Sequence, residues 1–227
     1  MIVSGFQKLT LLDYPNKVAA LIFTGGCNYR CPYCQNSPLI CDYEIIDESY
    51  VFDYLEKRKK ILDGVCISGG EPLLQKDIKF FIKKIKDMGF EVKLDTNGSF
   101  PDKLKDLIDA NLIDYIAMDI KNDFENYSKT VGVKNVNVDD IKKSIKYIKE
   151  SNIEHEFRTT IMKEFHSVDN ILNICKYIGK NEKYFLQNYV ESENVLNKGL
   201  TSFSDGELTE IINEINKKYI NVQVRYL

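Results

Sequence analysis

Val18-Ala19-Ala20-Leu21-Ile22-Phe23-Thr24-Gly25-Gly26-Cys27-Asn28-Tyr29-Arg30-Cys31-Pro32-Tyr33-Cys34 is the stretch on which the fold is read. Its first six residues are an uninterrupted apolar run, the pattern of a strand buried on both faces. The glycines let the backbone turn sharply, and Cys27, Cys31 and Cys34 follow. Thiolates are soft donors suited to zinc or to an iron-sulfur cluster. The remaining cysteines, Cys41, Cys66 and Cys175, are scattered. In a reducing compartment such a group points to a metal before a disulfide. Three thiolates on a four-iron cluster leave one iron open to an external ligand, as a catalytic zinc keeps one position free. With Cys41 as a fourth ligand, the same residues would instead make a closed zinc site.

Outward from this stretch, β-rich apolar runs alternate with amphipathic helical patterns, as in a parallel sheet with helical crossovers. The strand candidates are Val18–Phe23, Gly64–Ser68, Glu91–Asp95, Tyr115–Asp119, Glu154–Thr160 and Tyr184–Tyr189. A helix is expected over Glu48–Lys60, and apolar stripes follow at Ile78/Phe81/Ile82/Ile85, Leu104/Leu107/Ile108, Ile141/Ile145/Ile148 and Ile171/Leu172/Cys175/Ile178. Ser204 and Glu207 form a capping box ahead of Leu208, Ile211, Ile212 and Ile215. Six strand-helix units are two short of a full barrel, so the expected fold is α/β, a partial, open (β/α)6 TIM-like barrel. Residues 1–227 read as one domain, with Gln7–Leu12 forming a hairpin extension (about 1–17) on the first barrel strand.

The 227 residues carry 31 Lys and Arg against 34 Asp and Glu, a net charge of −3 that offers no general attraction for nucleic acid or anionic lipid. Clustered lysines at 57–60, 83–86 and 142–149 recur opposite apolar residues and read as solvated helix faces. No run is long and apolar enough to span a membrane, and the first residues lack a secretory pattern, so the expected location is the cytoplasm.

In parallel barrels chemistry sits where strands end. Ser68-Gly69-Gly70-Glu71-Pro72 ends the second strand: its bare backbone can offer carbonyls to an ammonium with Glu71 nearby, or it is a plain turn. Asp95-Thr96-Asn97-Gly98 ends the third, with groups suited to sugar hydroxyls or a cation. Asp119-Ile120-Lys121 ends the fourth with opposite charges on one side of an extended chain, and Arg158 lies in the fifth.

Taken in this order, Cys27-x3-Cys31-x2-Cys34, Gly69-Gly70-Glu71, Asp95-Thr96-Asn97-Gly98, Asp119-x-Lys121 and Arg158 resemble the radical S-adenosylmethionine (SAM) superfamily, and within it the activating enzymes of glycyl radical enzymes. Gln7-Lys8-Leu9-Thr10-Leu11-Leu12-Asp13-Tyr14-Pro15 is most similar to the activators of anaerobic ribonucleoside-triphosphate reductase. The resemblance implies an oxidoreductase that reductively cleaves SAM at one 4Fe-4S cluster and forms a glycyl radical on a partner enzyme. It also implies a flavodoxin- or ferredoxin-like electron donor. By the same resemblance Cys27, Cys31 and Cys34 ligate the cluster; Tyr33 lies by the adenine, and Asn36 and Asn97 contact the cofactor. Gly69, Gly70 and Glu71 hold its ammonium, Asp95 its ribose, and Lys121 and Arg158 its carboxylate, with Asp119 beside them. Residues matching Asp95, Thr96 and Asp119 bind a monovalent cation in pyruvate formate-lyase activators. Two departures stand out: Gln35 and Gln187 replace histidines frequent in these families. The alternatives are a small-molecule reaction like that of 7-carboxy-7-deazaguanine synthases and a non-catalytic zinc or iron-sulfur module.

Overall fold

The computed structural model describes residues 1–219 and 222–225. Its eight strands form one sheet in chain order: β1 (Val3–Thr10), β2 (Ala19–Thr24), β3 (Gly64–Gly69), β4 (Glu91–Thr96), β5 (Tyr115–Asp119), β6 (Glu154–Ile161), β7 (Tyr184–Asn188) and β8 (Val222–Arg225). β1 runs antiparallel to β2, and every later pair is parallel. No pairing joins β8 back to β1 among the described residues, so the barrel is open.

The long helices lie where the apolar stripes predict them: α2 (Glu48–Arg58), α3 (Ile78–Asp87), α4 (Pro101–Asp109), α6 (Val138–Glu150), α7 (Val168–Ile178) and α8 (Asp205–Asn216). Two four-residue helices, α1 (Pro38–Cys41) and α5 (Tyr127–Thr130), escape periodicity because one turn is too short to show a period. Helix starts are fixed locally. Ser204 accepts from the Glu207 amide while the Glu207 carboxylate reaches back to the Ser204 amide, and Ser167 and Asn170 repeat the arrangement before α7. No helix among the described residues is long and apolar enough to cross a membrane.

All six strand-helix units are present, framed by two strands outside them. β1 starts four residues before the expected hairpin arm Gln7–Leu12 and ends at Thr10, leaving Leu11 and Leu12 in the turn, and β8 is a seventh parallel strand. Alternation along the strands sorts side chains between two environments. Val92, Leu94, Ile116, Met118, Phe157 and their neighbours join the stripes of the helices in one core, each buried aliphatic side chain contributing about 1.5–3 kcal/mol. The opposite face lines the barrel lumen, where Tyr14, Ala19, Tyr115 and Ala117 form an apolar cluster. Above that floor it carries Lys93, Asp95, Asp119, Glu156 and Arg158.

β8 contributes to this lumen through Arg225. Its guanidinium donates to both oxygens of buried Glu156, at 2.7 and 2.9 Å, and lies over the Phe185 ring; Tyr115 adds a third donor at 2.9 Å. Arg225→Ala should therefore cost about 3 kcal/mol in urea unfolding, because it strands a buried carboxylate. Replacing Glu156 and Arg225 together with apolar residues should cost less than that single change.

Candidate active site

The C-terminal ends of β2 to β7 surround an open cavity of about 250 Å³. The loop after β2 crosses the end of β3 at very short range: the Gly70 amide donates to the Thr24 carbonyl and the Glu71 amide to the Gly26 carbonyl, both at 2.9 Å. A Cβ on Gly70 would fall 2.0 Å from the Gly26 oxygen, and one on Gly69, whose φ is +114°, 2.3 Å from the Thr24 nitrogen. Both glycines are thus required by backbone contact whatever they offer a ligand.

The same contact sets the cysteine loop over the cavity, and other segments hold it there. The Arg30 amide bonds to the Val131 carbonyl beyond α5, the Asn197 amide to the Pro32 carbonyl, and the Gln35 side chain donates to the Val190 carbonyl at 2.9 Å. Gln35 therefore ties the loop to the segment after β7. Cys27, Cys31 and Cys34 all line the cavity as free thiols. Cys41 is exposed at the end of α1 and does not line it, which leaves a four-cysteine zinc site without its fourth ligand. Among the described residues no three Cys, His, Asp or Glu side chains converge as a single metal ion requires. Burial pushes the Cys27 thiol up to about 12 and the Cys31 thiol up to about 11, with Lys121 pulling against burial at Cys31. Such a donor set fits a group that brings its own positive charge and displaces the protons, as iron does.

Glu71 is buried, and its carboxylate accepts three hydrogen bonds: Leu73 N and Thr96 Oγ1 donate to Oε1 at 3.0 and 2.8 Å, and Asn97 N to Oε2 at 2.7 Å. Burial still dominates and lifts its pKa to about 7. Asn97 turns its side chain to the cysteine loop, donating to Asn28 Oδ1 at 3.0 Å, while Asn28 donates to Ser99.

Across the cavity, charges alternate in a row. Lys93 pairs with Asp95 Oδ1; Ser68 donates to Asp95 Oδ2 at 3.0 Å, and Arg158 Nη2 stands 3.5 Å from the same oxygen. Arg158 Nε donates to Asp119 Oδ1 at 2.8 Å, and Lys121 Nζ to Asp119 Oδ2 at 3.1 Å. Burial alone would raise both aspartates, but Arg158 with Lys93 outweighs it at Asp95, and Arg158 with Lys121 at Asp119, so both stay below the ordinary carboxylate range. Every carboxylate oxygen of Asp95 and Asp119 thus accepts from a protein donor, while the Thr96 hydroxyl donates to Glu71.

Tyr33 is buried beside Phe165, and Asn36 lines the cavity next to it. His166 is buried, accepts from the Met162 amide through Nδ1 and donates from Nε2 to the Lys121 carbonyl at 2.9 Å. His155 bonds to Glu182 on the outside of the barrel. Sequence reasoning passed over Tyr29, Thr160 and Lys93. The first two line the cavity. The overlooked signal was a period-two spacing of charge, Lys93-x-Asp95 and Glu156-x-Arg158, of which only Asp95 and Arg158 were singled out in the sequence.

The raised pKa of Glu71 fixes a sign. Between pH 4.5 and 7 the unfolded carboxyl ionises while the folded one keeps its proton, so the folded state binds more protons and its stability falls as pH rises. In urea unfolding between pH 4.5 and 8, Glu71→Gln should flatten the wild-type slope by up to about 3 kcal/mol in total.

Comparison with known proteins agrees with this geometry. Residues 21–183 match the radical SAM superfamily. A Methanocaldococcus jannaschii protein, named as a glycyl-radical enzyme activating enzyme, is 36% identical over 99% of this chain and 95% of its own. Among solved structures, a radical SAM methyltransferase from Sphaerobacter thermophilus superposes with a TM-score of 0.74 at 14% identity, covering 96% of this chain and 68% of that one. SuiB of Streptococcus suis gives 0.69 at 18% identity, covering 89% of this chain, which spans only 47% of SuiB. These two likenesses bear on the fold, whereas the family match and the end-to-end relative bear on kinship: the chain belongs to the radical SAM superfamily and, within it, to the family of glycyl-radical enzyme activating enzymes.

Proposed function

We propose that this protein installs a glycyl radical on an anaerobic ribonucleoside-triphosphate reductase, with a 4Fe-4S cluster on Cys27, Cys31 and Cys34, SAM in the cavity, and a flavodoxin- or ferredoxin-like electron donor in the cytoplasm. The observation that carries the reading is that the three thiols, the Gly69-Gly70-Glu71 turn and the row from Asp95 to Lys121 line a single cavity. When bound, the cluster supplies an electron and SAM supplies the carbon centre that removes the hydrogen atom.

The chain's own groups bind and orient. Carbonyls of the glycine turn and the Glu71 carboxylate suit an ammonium, and an ammonium near Glu71 offsets the cost of ionising it. Asp95 suits a ribose, with Lys93, Ser68 and Arg158 keeping it ionised and fixed. Lys121 and Arg158 suit a carboxylate. Tyr33 and Asn36 suit the adenine, on the side of the cavity formed by the cysteine loop. Fixing these contacts on strand ends holds the reacting atoms close and oriented, while the buried walls limit water.

The protein substrate is supported by the M. jannaschii relative, matched along almost its whole length. A glycine loop also suits an open cavity: it has no side chain, so its Cα can approach a recessed carbon. The choice of reductase rests on resemblance in Gln7–Pro15, which builds β1 and the turn after it, at the end of the barrel away from the cavity.

Mixing the anaerobically reduced, cluster-loaded protein with SAM and the reductase should give a glycine-centred radical on the reductase by electron paramagnetic resonance. SAM cleavage with no such radical on any glycyl radical enzyme, together with turnover of a small molecule, would overturn the activator reading. Replacing Cys27, Cys31 or Cys34 by Ala should abolish cleavage and deplete iron, while Cys41→Ser, Cys66→Ser and Cys175→Ser should retain the cluster. Lys121→Ala should weaken SAM binding without unfolding the protein.

A further inference from the structure

Lys93 is the least expected residue of the lumen. It sits on β4 two residues before Asp95, on the same face, and its side chain is 2% exposed. Its register partners are Cys66 on β3 and Tyr115 on β5, neither of which carries charge to balance an ammonium. Its Nζ lies 3.7 Å from the Cys66 sulfur, and its one ion pair among the described residues is with Asp95. Lys93 itself does not line the cavity; Asp95 stands between them. Desolvating an ammonium is costly, and an apolar side chain of similar size would fill the same space without that cost. Packing therefore gives no reason for a lysine here.

The row of charges supplies one. From the floor of the lumen to the cavity, the groups run Lys93, Asp95, Arg158, Asp119, Lys121, positive and negative in turn. Arg158 serves two carboxylates at once, Asp119 at 2.8 Å and Asp95 at 3.5 Å. Without Lys93, Asp95 would depend on Arg158 for its only cationic partner, and the guanidinium would be drawn toward it and away from Asp119. Asp119 would then rely on Lys121, and Lys121 would turn further from the cavity. A change at the closed end of the row thus passes through shared partners to the end that meets the ligand.

We propose that Lys93 is a positioning residue of the cofactor site: by holding Asp95 from below, it leaves Arg158 divided between Asp95 and Asp119 and keeps Lys121 available to the cofactor's carboxylate. This rests on the reading above that Asp95, Arg158 and Lys121 face SAM.

The test uses the cluster-loaded protein under anaerobic conditions, with SAM as the probe, and compares wild type, Lys93→Met and Lys93→Arg. Iron content and thermal unfolding establish that each variant is folded and loaded. Lys93→Met should bind SAM about tenfold more weakly with its iron content unchanged, the size of effect expected when a coupled partner is removed. Lys93→Arg, which restores the charge in nearly the same volume, should recover most of that loss. Wild-type affinity in folded Lys93→Met would overturn the proposal, as would equal weakening in both variants, since shape and not charge would then be at stake. If Lys93→Met does not fold, Lys93→Gln, which keeps a donor and drops the charge, takes its place with the same two outcomes. Failure of wild type to bind SAM would instead remove the cofactor reading of the site, and this proposal with it.

Discussion

The backbone contact between Gly70 and Gly26 is the constraint on which the rest of the site depends. Two strand-end loops meet there with no side chain between them, and the amide of Glu71 completes the junction on the Gly26 carbonyl. Because β2 and β3 are parallel and in register, Thr24 beside Gly69, the two loops leave the sheet at the same level and have to cross. The glycines let them cross at hydrogen-bonding distance. As a result, the cysteines from one loop and the carboxylate from the other face the same cavity.

From that junction the site grows by sharing partners. Glu71 joins β3 to β4 through Thr96 and Asn97; Asn97 returns to the cysteine loop through Asn28; Arg158 joins β4, β5 and β6. A lumen filled with mutually paired charges is an expensive interior compared with an aliphatic one. Its benefit is a set of polar groups already oriented before any ligand arrives, so that little reorganisation remains when charge must be met. Stability comes from the other face of the same strands, where the apolar stripes of six helices pack.

This division explains what was legible in the sequence. The apolar runs and stripes report the helix-facing side, so the six units and their order could be read with boundaries shifted by a residue or two. The cysteine spacing and the glycine turn are local patterns, and they too were visible. β8 was not, since Val222–Arg225 is short and carries a charged residue that only its distant partner Glu156 explains. Lys93 was hidden for a related reason: a lysine in a strand that alternates polar and apolar residues reads as an exposed position until the barrel curves over that face and brings the Cys66 thiol of β3 beside it. The glycine turn shows the reverse case, in which a motif read for its ligand also satisfies a steric demand of the backbone.

The anchoring of the cysteine loop has a consequence for the order in which the molecule is made. Gln35 and Ser37 take their partners from Val190 and Asn194, 155 and 157 residues further along the chain. Contacts of such separation are the last to repay their loop-closure entropy, both in refolding and as the chain leaves the ribosome. Until the segment after β7 has been synthesised, the cysteine loop lacks the partners of Gln35, Ser37 and Pro32. The loop that carries the three thiols therefore takes its final anchorage only once the segment after β7 is in place.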